Sequence, residues 1–229
     1  MGRALRIGNP PIEVDLRRSA RARRLSLRVS RLDGKVTLTM PPRAPERQAI
    51  DFLTEREDWL RGHLDDIRPA VTAGPGKALP YLGRDITVQV ADVRSVTVRD
   101  DLLLLPPGAG APAIRAYLKA RARDRLAAAS DHYAGLIGRS YTKLTLRDTR
   151  SRWGSCTSTG GLMYSWRLIM APPAVLDYVA AHEVAHLEQM NHSDAFWAIV
   201  ARLDPNFAVH RRWLRDHGDR LHAVRFDTE

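Results

Sequence analysis

The chain has 229 residues, 44% of them hydrophobic, enough to bury the core of one large domain or two small ones. Its formal charge of +10, carried mainly by arginine, attracts polyanions without specifying which. No apolar run reaches the roughly 18 residues of a membrane-spanning helix, the start lacks the apolar core of a signal peptide, and the single Cys156 cannot form an internal disulfide, so no membrane association and a cytoplasmic location are expected.

Strands are predicted first, at 12–16 ("IEVDL"), 24–30 and 35–42, the last two joined by a hairpin at Asp33-Gly34. The densest basic run, "RRSARARR" at 17–24, reads foremost as a solvated face, with docking of nucleic acid as the competing reading. Residues 44–64 predict one helix of about five turns, with Pro45 in its first turn and Ile50, Leu53, Leu60 and Leu64 at helical spacing. "AGPGKALPYLG" at 73–83 breaks the pattern, and short strands follow at 86–90, 95–100 and 102–106. The Pro/Gly-rich "LPPGAGAP" at 105–112 reads as a linker between a β-rich N-terminal region with one helix, 1–105, and a second domain, 112–223.

Beyond the linker the reading is a helix over 113–136, a strand at 143–148, an irregular 149–156 and a strand at 161–170. A helix over 171–190 opens on Pro172 and Pro173, where missing amide donors matter least, and two more follow. Ser193 caps the first of these and Gly218 ends the second. The fold class is therefore α+β.

His182, Glu183 and His186 form an HExxH sequence on the 171–190 helix. Four residues apart, the two imidazoles leave one face a turn apart and can hold one metal ion, while Glu183, rotated by about 100°, stands where its carboxylate can take a proton from a water. Val175, Tyr178 or Val179 share the histidine stripe, which places that side inward. His192 is the leading third ligand. A continuous helix would carry it about 240° away from His186, so a bend is expected in "EQMNHS", where Asn191 tolerates left-handed geometry and Ser193 can cap a new helix. His210, His217 and His222 compete for that place, each read as a surface residue of a basic helical tail. The spacing matches HExxHxxGxxH, but Gln189 replaces the glycine and no methionine follows Met190, which excludes a metzincin. Three imidazoles leave an open position and suit Zn2+. Cys156 has no CxxC partner and is given no role.

The chain resembles the YgjP-like family of zinc metallohydrolases, which is related through its metal helix to the SprT-like proteases. The resemblance rests on "RSARARRLSLRVS", "VTLTMPPRAP", "DFLTEREDWL", "LPYLGR", "RSRWGSCTSTGGL", "SWRLIMAPPAVLDYVAAHEVAHLEQMNHSDAFW" and "RRWLRDHG", and so spans nearly the whole chain. It implies a zincin-like C-terminal domain, His182, His186 and His192 as zinc ligands and Glu183 as general base. It also implies that Arg152, Trp153, Gly154, Ser155 and Trp166 lie near the site as substrate-binding candidates, and Ser165 stands where relatives often carry asparagine. The implied substrate is a peptide or protein, its backbone pairing with the edge of the 161–169 strand. The alternatives are a nucleotide phosphoanhydride such as uridine triphosphate, disfavoured by the lack of a Gly-rich phosphate loop and of clustered carboxylates for magnesium, and a nucleic-acid-associated protease module docked through the arginine-rich hairpin.

Overall fold

The computed structural model describes residues 3–30, 33–65 and 70–226, and the chain divides between Ala70 and Val71 into two compact units. In the first, β1 (Arg3–Ile7), β2 (Ile12–Arg18), β3 (Ser26–Val29) and β4 (Val36–Met40) form a sheet in the order β1-β2-β4-β3, with β2 and β4 parallel. Strict alternation buries Ile12, Val14 and Leu16 of β2 and Val36, Leu38 and Met40 of β4. Ala49, Leu53 and Leu60 from α1 (Glu46–Glu55) and α2 (Glu57–Asp65) complete that core.

The single helix expected over 44–64 is thus two. The Thr54 hydroxyl donates to the Ile50 carbonyl, Arg56 leaves helical geometry, and Glu57-Asp58 open a new N-terminus where acidic side chains are favoured. Ile50, expected to face inward, is 44% exposed. The Asp33-Gly34 turn forms as expected, with Gly34 at positive φ, although residues 31–32 lie outside the described ones. In the basic run, Arg18 donates to the carbonyls of Pro42 and Ala44, and Arg17, Arg21, Arg23 and Arg24 are exposed.

The second unit begins with β5 (Val71–Thr72), β6 (Ala78–Tyr81), β7 (Arg84–Val90), β8 (Thr97–Arg99) and β9 (Leu102–Leu105), the last four making a sheet in the order β6-β7-β9-β8. Strand β6 falls where the sequence reading saw only a break. It is joined to β7 through Leu82 and Gly83, both at positive φ, the geometry that matches the twist of a tight hairpin. There follow α3 (Ala111–Leu136), β10 (Lys143–Arg147), β11 (Gly154–Cys156), β12 (Gly161–Ser165), a 3-10 turn (Trp166–Met170), α4 (Pro173–Ala185), α5 (Asp194–Leu203), α6 (Phe207–Ala223) and β13 (Val224–Arg225). The segment 105–112 does not separate domains here. Leu103 before it, Leu105 and Ala111 within it and Ile114 after it belong to one core, because the apolar faces of β6 to β9 are covered by the helices that follow. Parallel pairing of β13 with β5 joins the two ends of the unit.

In α3, Ile114, Leu118, Ala122, Leu126, Ser130 and Ala134 recur every four residues and are buried, and the helix packs on α4 and the 3-10 turn. Helix α4 is buried on nearly every side, as a central helix that carries apolar residues all round must be. The small sheet runs β10-β12-β11, with β12 parallel to β10 and antiparallel to β11. Both edges of β12 are therefore used, and its expected role as a free edge beside the cleft falls to β11. Gly218 lies inside α6 rather than ending it: a Cβ there would stand 2.8 Å from the Trp153 ring, so the bare glycine is a packing position.

Candidate metal centre

The last turn of α4 presents His182 and Glu183, and His186 closes that helix as its C-cap with helical backbone angles. The chain then turns, with the amides of Glu188 and Gln189 both donating to the Ala185 carbonyl. Ser193 caps α5 by accepting from the Phe196 amide at 3.4 Å. The expected bend exists, but Asn191 does not take a left-handed conformation; the positive-φ residues other than glycine among those described are Leu82 and Asp100.

This bend brings one ring nitrogen from each of His182, His186 and His192 within 4.8 Å of one another. His182 Nε2 and His192 Nε2 are 3.2 Å apart, a separation at which two lone pairs repel unless a proton or a cation lies between them. His186 Nδ1 lies 2.9 Å from the Gln189 carbonyl, so that nitrogen carries the proton and donates it, leaving the Nε2 lone pair free. His182 Nδ1 is buried and has no partner among the described residues. Phe196 forms the floor, its centroid 4.9, 4.4 and 4.8 Å from the three rings in chain order, and Trp197 stacks on His192 at 5.7 Å.

Burial, then the proximity of His186 and His192, holds His182 down to about 3, and burial also lowers His186. Their lone pairs stay free at neutral pH. Glu183 is 5% exposed, and burial raises it to about 8 against the opposing pull of the Arg152 charge. Gly154 on β11 makes room for it, since a Cβ there would lie 2.5 Å from Glu183 Oε1.

The competing histidines are engaged elsewhere. His210 Nδ1 is 2.7 Å from Asp204 Oδ2, His222 is half-buried against Trp153 at 4.9 Å, and His217 is exposed beside Trp213. Cys156 lies outside the histidine cluster, and burial, aided by the Glu183 charge, pushes its thiol up to about 11, so it is no nucleophile at neutral pH.

A cleft of about 350 Å³ opens on His182 and Glu183. Arg152, Trp153 and Gly154 line it from the β11 side, and Arg211, Leu214 and Arg215 from α6. Of the candidate substrate residues, these first three reach the cleft. Ser155 follows on β11 without lining it, and Trp166, 1% exposed, packs edge-on against Phe226 and belongs to the core. Ser165, also fully buried, has a hydroxyl without a hydrogen-bond partner among the described residues, and its amide donates to the Trp153 carbonyl. Tyr178 as a cleft residue, Arg211 and Arg215 were not foreseen. The signal was a pair of arginines one helical turn apart in "RRWLR", hidden in a tail read as generally basic.

Three converging imidazoles without a carboxylate among them fit a transition-metal ion and do not fit magnesium or calcium, which require oxygen ligands. The sequence profile of a family described as YgjP-like, metallopeptidase domain, matches residues 23–217. No curated protein and no solved structure matches the chain.

Proposed function

The chain belongs to the YgjP-like family, and from that premise we propose that it is a zinc-dependent peptidase with Glu183 as general base, acting on peptides or proteins. The observation that carries this reading is the convergence of His182, His186 and His192 beside a buried glutamate at the wall of a cleft. A helix delivering two imidazoles and a carboxyl, with a third imidazole returned by a bend, agrees with a zincin-like, SprT-like arrangement of the second unit. When bound, zinc would acidify a water molecule, polarise the scissile carbonyl and favour the ionised form of Glu183.

Glu183 then takes the proton from the attacking water and passes it to the leaving amine. Burial keeps that carboxyl from bulk water, and Gly154, which has no side chain, leaves room for it. The outer edge of β11, the last strand of its sheet, offers main-chain groups for an extended substrate. Trp153 and Tyr178 supply aromatic walls for its side chains.

Metal content of wild type and His192→Ala, measured by inductively coupled plasma mass spectrometry, tests the centre. About one zinc per chain that largely disappears in the mutant is expected, and retained stoichiometric zinc would remove His192 from the site. Glu183→Gln is expected to keep its zinc while peptide hydrolysis falls by about 10²- to 10⁴-fold. Metal binding by a wild-type protein that cleaves no peptide would refute the peptidase reading.

A further inference from the structure

The cleft has an unbalanced charge. Three arginines, Arg152, Arg211 and Arg215, line it against a single carboxyl, that of Glu183. Arg211 has its guanidinium carbon 4.9 Å from the centroid of Trp197, which in turn stacks on His192. Held over the Trp197 ring, Arg211 makes no side-chain hydrogen bond among the described residues, and its donors are open to a ligand. Among the described residues neither Arg211 nor Arg152 makes an ion pair, although the Arg152 charge acts on Glu183, whereas Arg215 is paired at the surface with Asp216 at 3.1 Å. The positive charge of Arg211 and Arg152 exceeds that of the one carboxyl in the cleft, and an anionic ligand relieves their repulsion.

The anion is best matched to a carboxylate on a peptide. A guanidinium edge pairs with a carboxylate through two parallel hydrogen bonds. Trp153, Tyr178, Val179 and Leu214 give the same cleft apolar and aromatic surface that a bare polyphosphate could not use. The histidine triad is also the one cluster of three candidate metal ligands among the described residues, so no cluster of three carboxylates stands ready for the magnesium of a nucleotide.

We propose that Arg211 and Arg152 make this cleft selective for peptides bearing a carboxylate near the bond to be cleaved, an acidic side chain or a free C-terminus. The proposal rests on the peptidase reading, deepens it by naming the substrate class, and is tested by binding as well as turnover. Fluorescein-labelled peptides alike except for Glu, Gln or Lys at each position in turn, with free or amidated C-termini, are titrated by anisotropy against zinc-loaded Glu183→Gln and assayed for cleavage by wild type. Glu peptides are expected to bind and react about 10-fold or more better than Gln peptides. Arg211→Glu should abolish that preference or turn it toward Lys peptides at unchanged zinc content, and Arg211→Lys should restore part of it. A preference that follows the free C-terminus instead of the Glu side chain identifies the terminal carboxylate as the group recognised.

Cleavage that is indifferent to both carboxylates overturns the proposal and leaves the peptidase reading standing. Acid-selective binding without cleavage of any peptide does the reverse. Uridine triphosphate that displaces every peptide from the cleft, and is hydrolysed, overturns both.

Discussion

Three histidines spaced four and six positions apart converge on one point, and Gly154 makes room for the glutamate beside them. Gly154→Ala places a methyl group against the Glu183 carboxylate, so kcat/KM for peptide hydrolysis should fall by about 10- to 100-fold with zinc content unchanged, because small displacements of a catalytic group are costly. Burial also gives Glu183 a pH signature in the metal-free protein. Its folded value of about 8 lies above the ordinary 4.5, so its stabilising contribution is full below about pH 4.5 and is lost as pH rises to about 8. Glutamine is neutral throughout. Denaturant unfolding in chelator should therefore find Glu183→Gln gaining on wild type between pH 5 and pH 8, by at most about 5 kcal/mol. The HExxH spacing made these residues legible. Arg211, Leu214 and Arg215 were not, because nothing in a basic helical tail says which of its faces meets the site.

Helices were legible where one apolar stripe persisted, as in α3, and misjudged where a side chain of another element intervened. Gly218 reads as a stop by composition, yet Trp153 packs on it and α6 continues to Ala223. Gly218→Ala should destabilise the protein by about 1–3 kcal/mol, since the methyl group has no room against a packed indole. Gly135, near the end of α3, meets nothing within 4 Å, so Gly135→Ala should stabilise by about 0.5–1 kcal/mol. Thermal denaturation of the two variants reads both effects with opposite signs. The strand at β11 was missed because three residues, "GSC", carry no periodicity; its pairing with β12 is a long-range fact. The free edge assigned to 161–169 moved to β11 for the same reason.

At the scale of the molecule, every residue of the candidate centre and its cleft falls within Val71–Glu229. A fragment of residues 71–229 should fold cooperatively and bind zinc as the full chain does. A fragment of 112–223 should not, because it lacks β6 to β9, whose Leu79, Ile86, Leu103 and Leu105 belong to the core that supports α3 and α4, and lacks the β5–β13 pairing. Circular dichroism melts and zinc content of the two fragments check this. The Pro/Gly stretch at 105–112 suggested a boundary because turns and linkers share a composition, and only packing distinguishes them. By itself the sequence determined the mixed α and β character and the pairing of His182 with His186 on one helix face, since local spacing along a helix fixes which side chains emerge together, whereas the arrival of His192 beside them depends on the bend after His186. Tertiary structure decided the division at Ala70, the edge strand beside Glu183 and the arginines of α6 that face it. Those depend on contacts between segments far apart in the chain, which hydrophobic periodicity within any one of them does not encode.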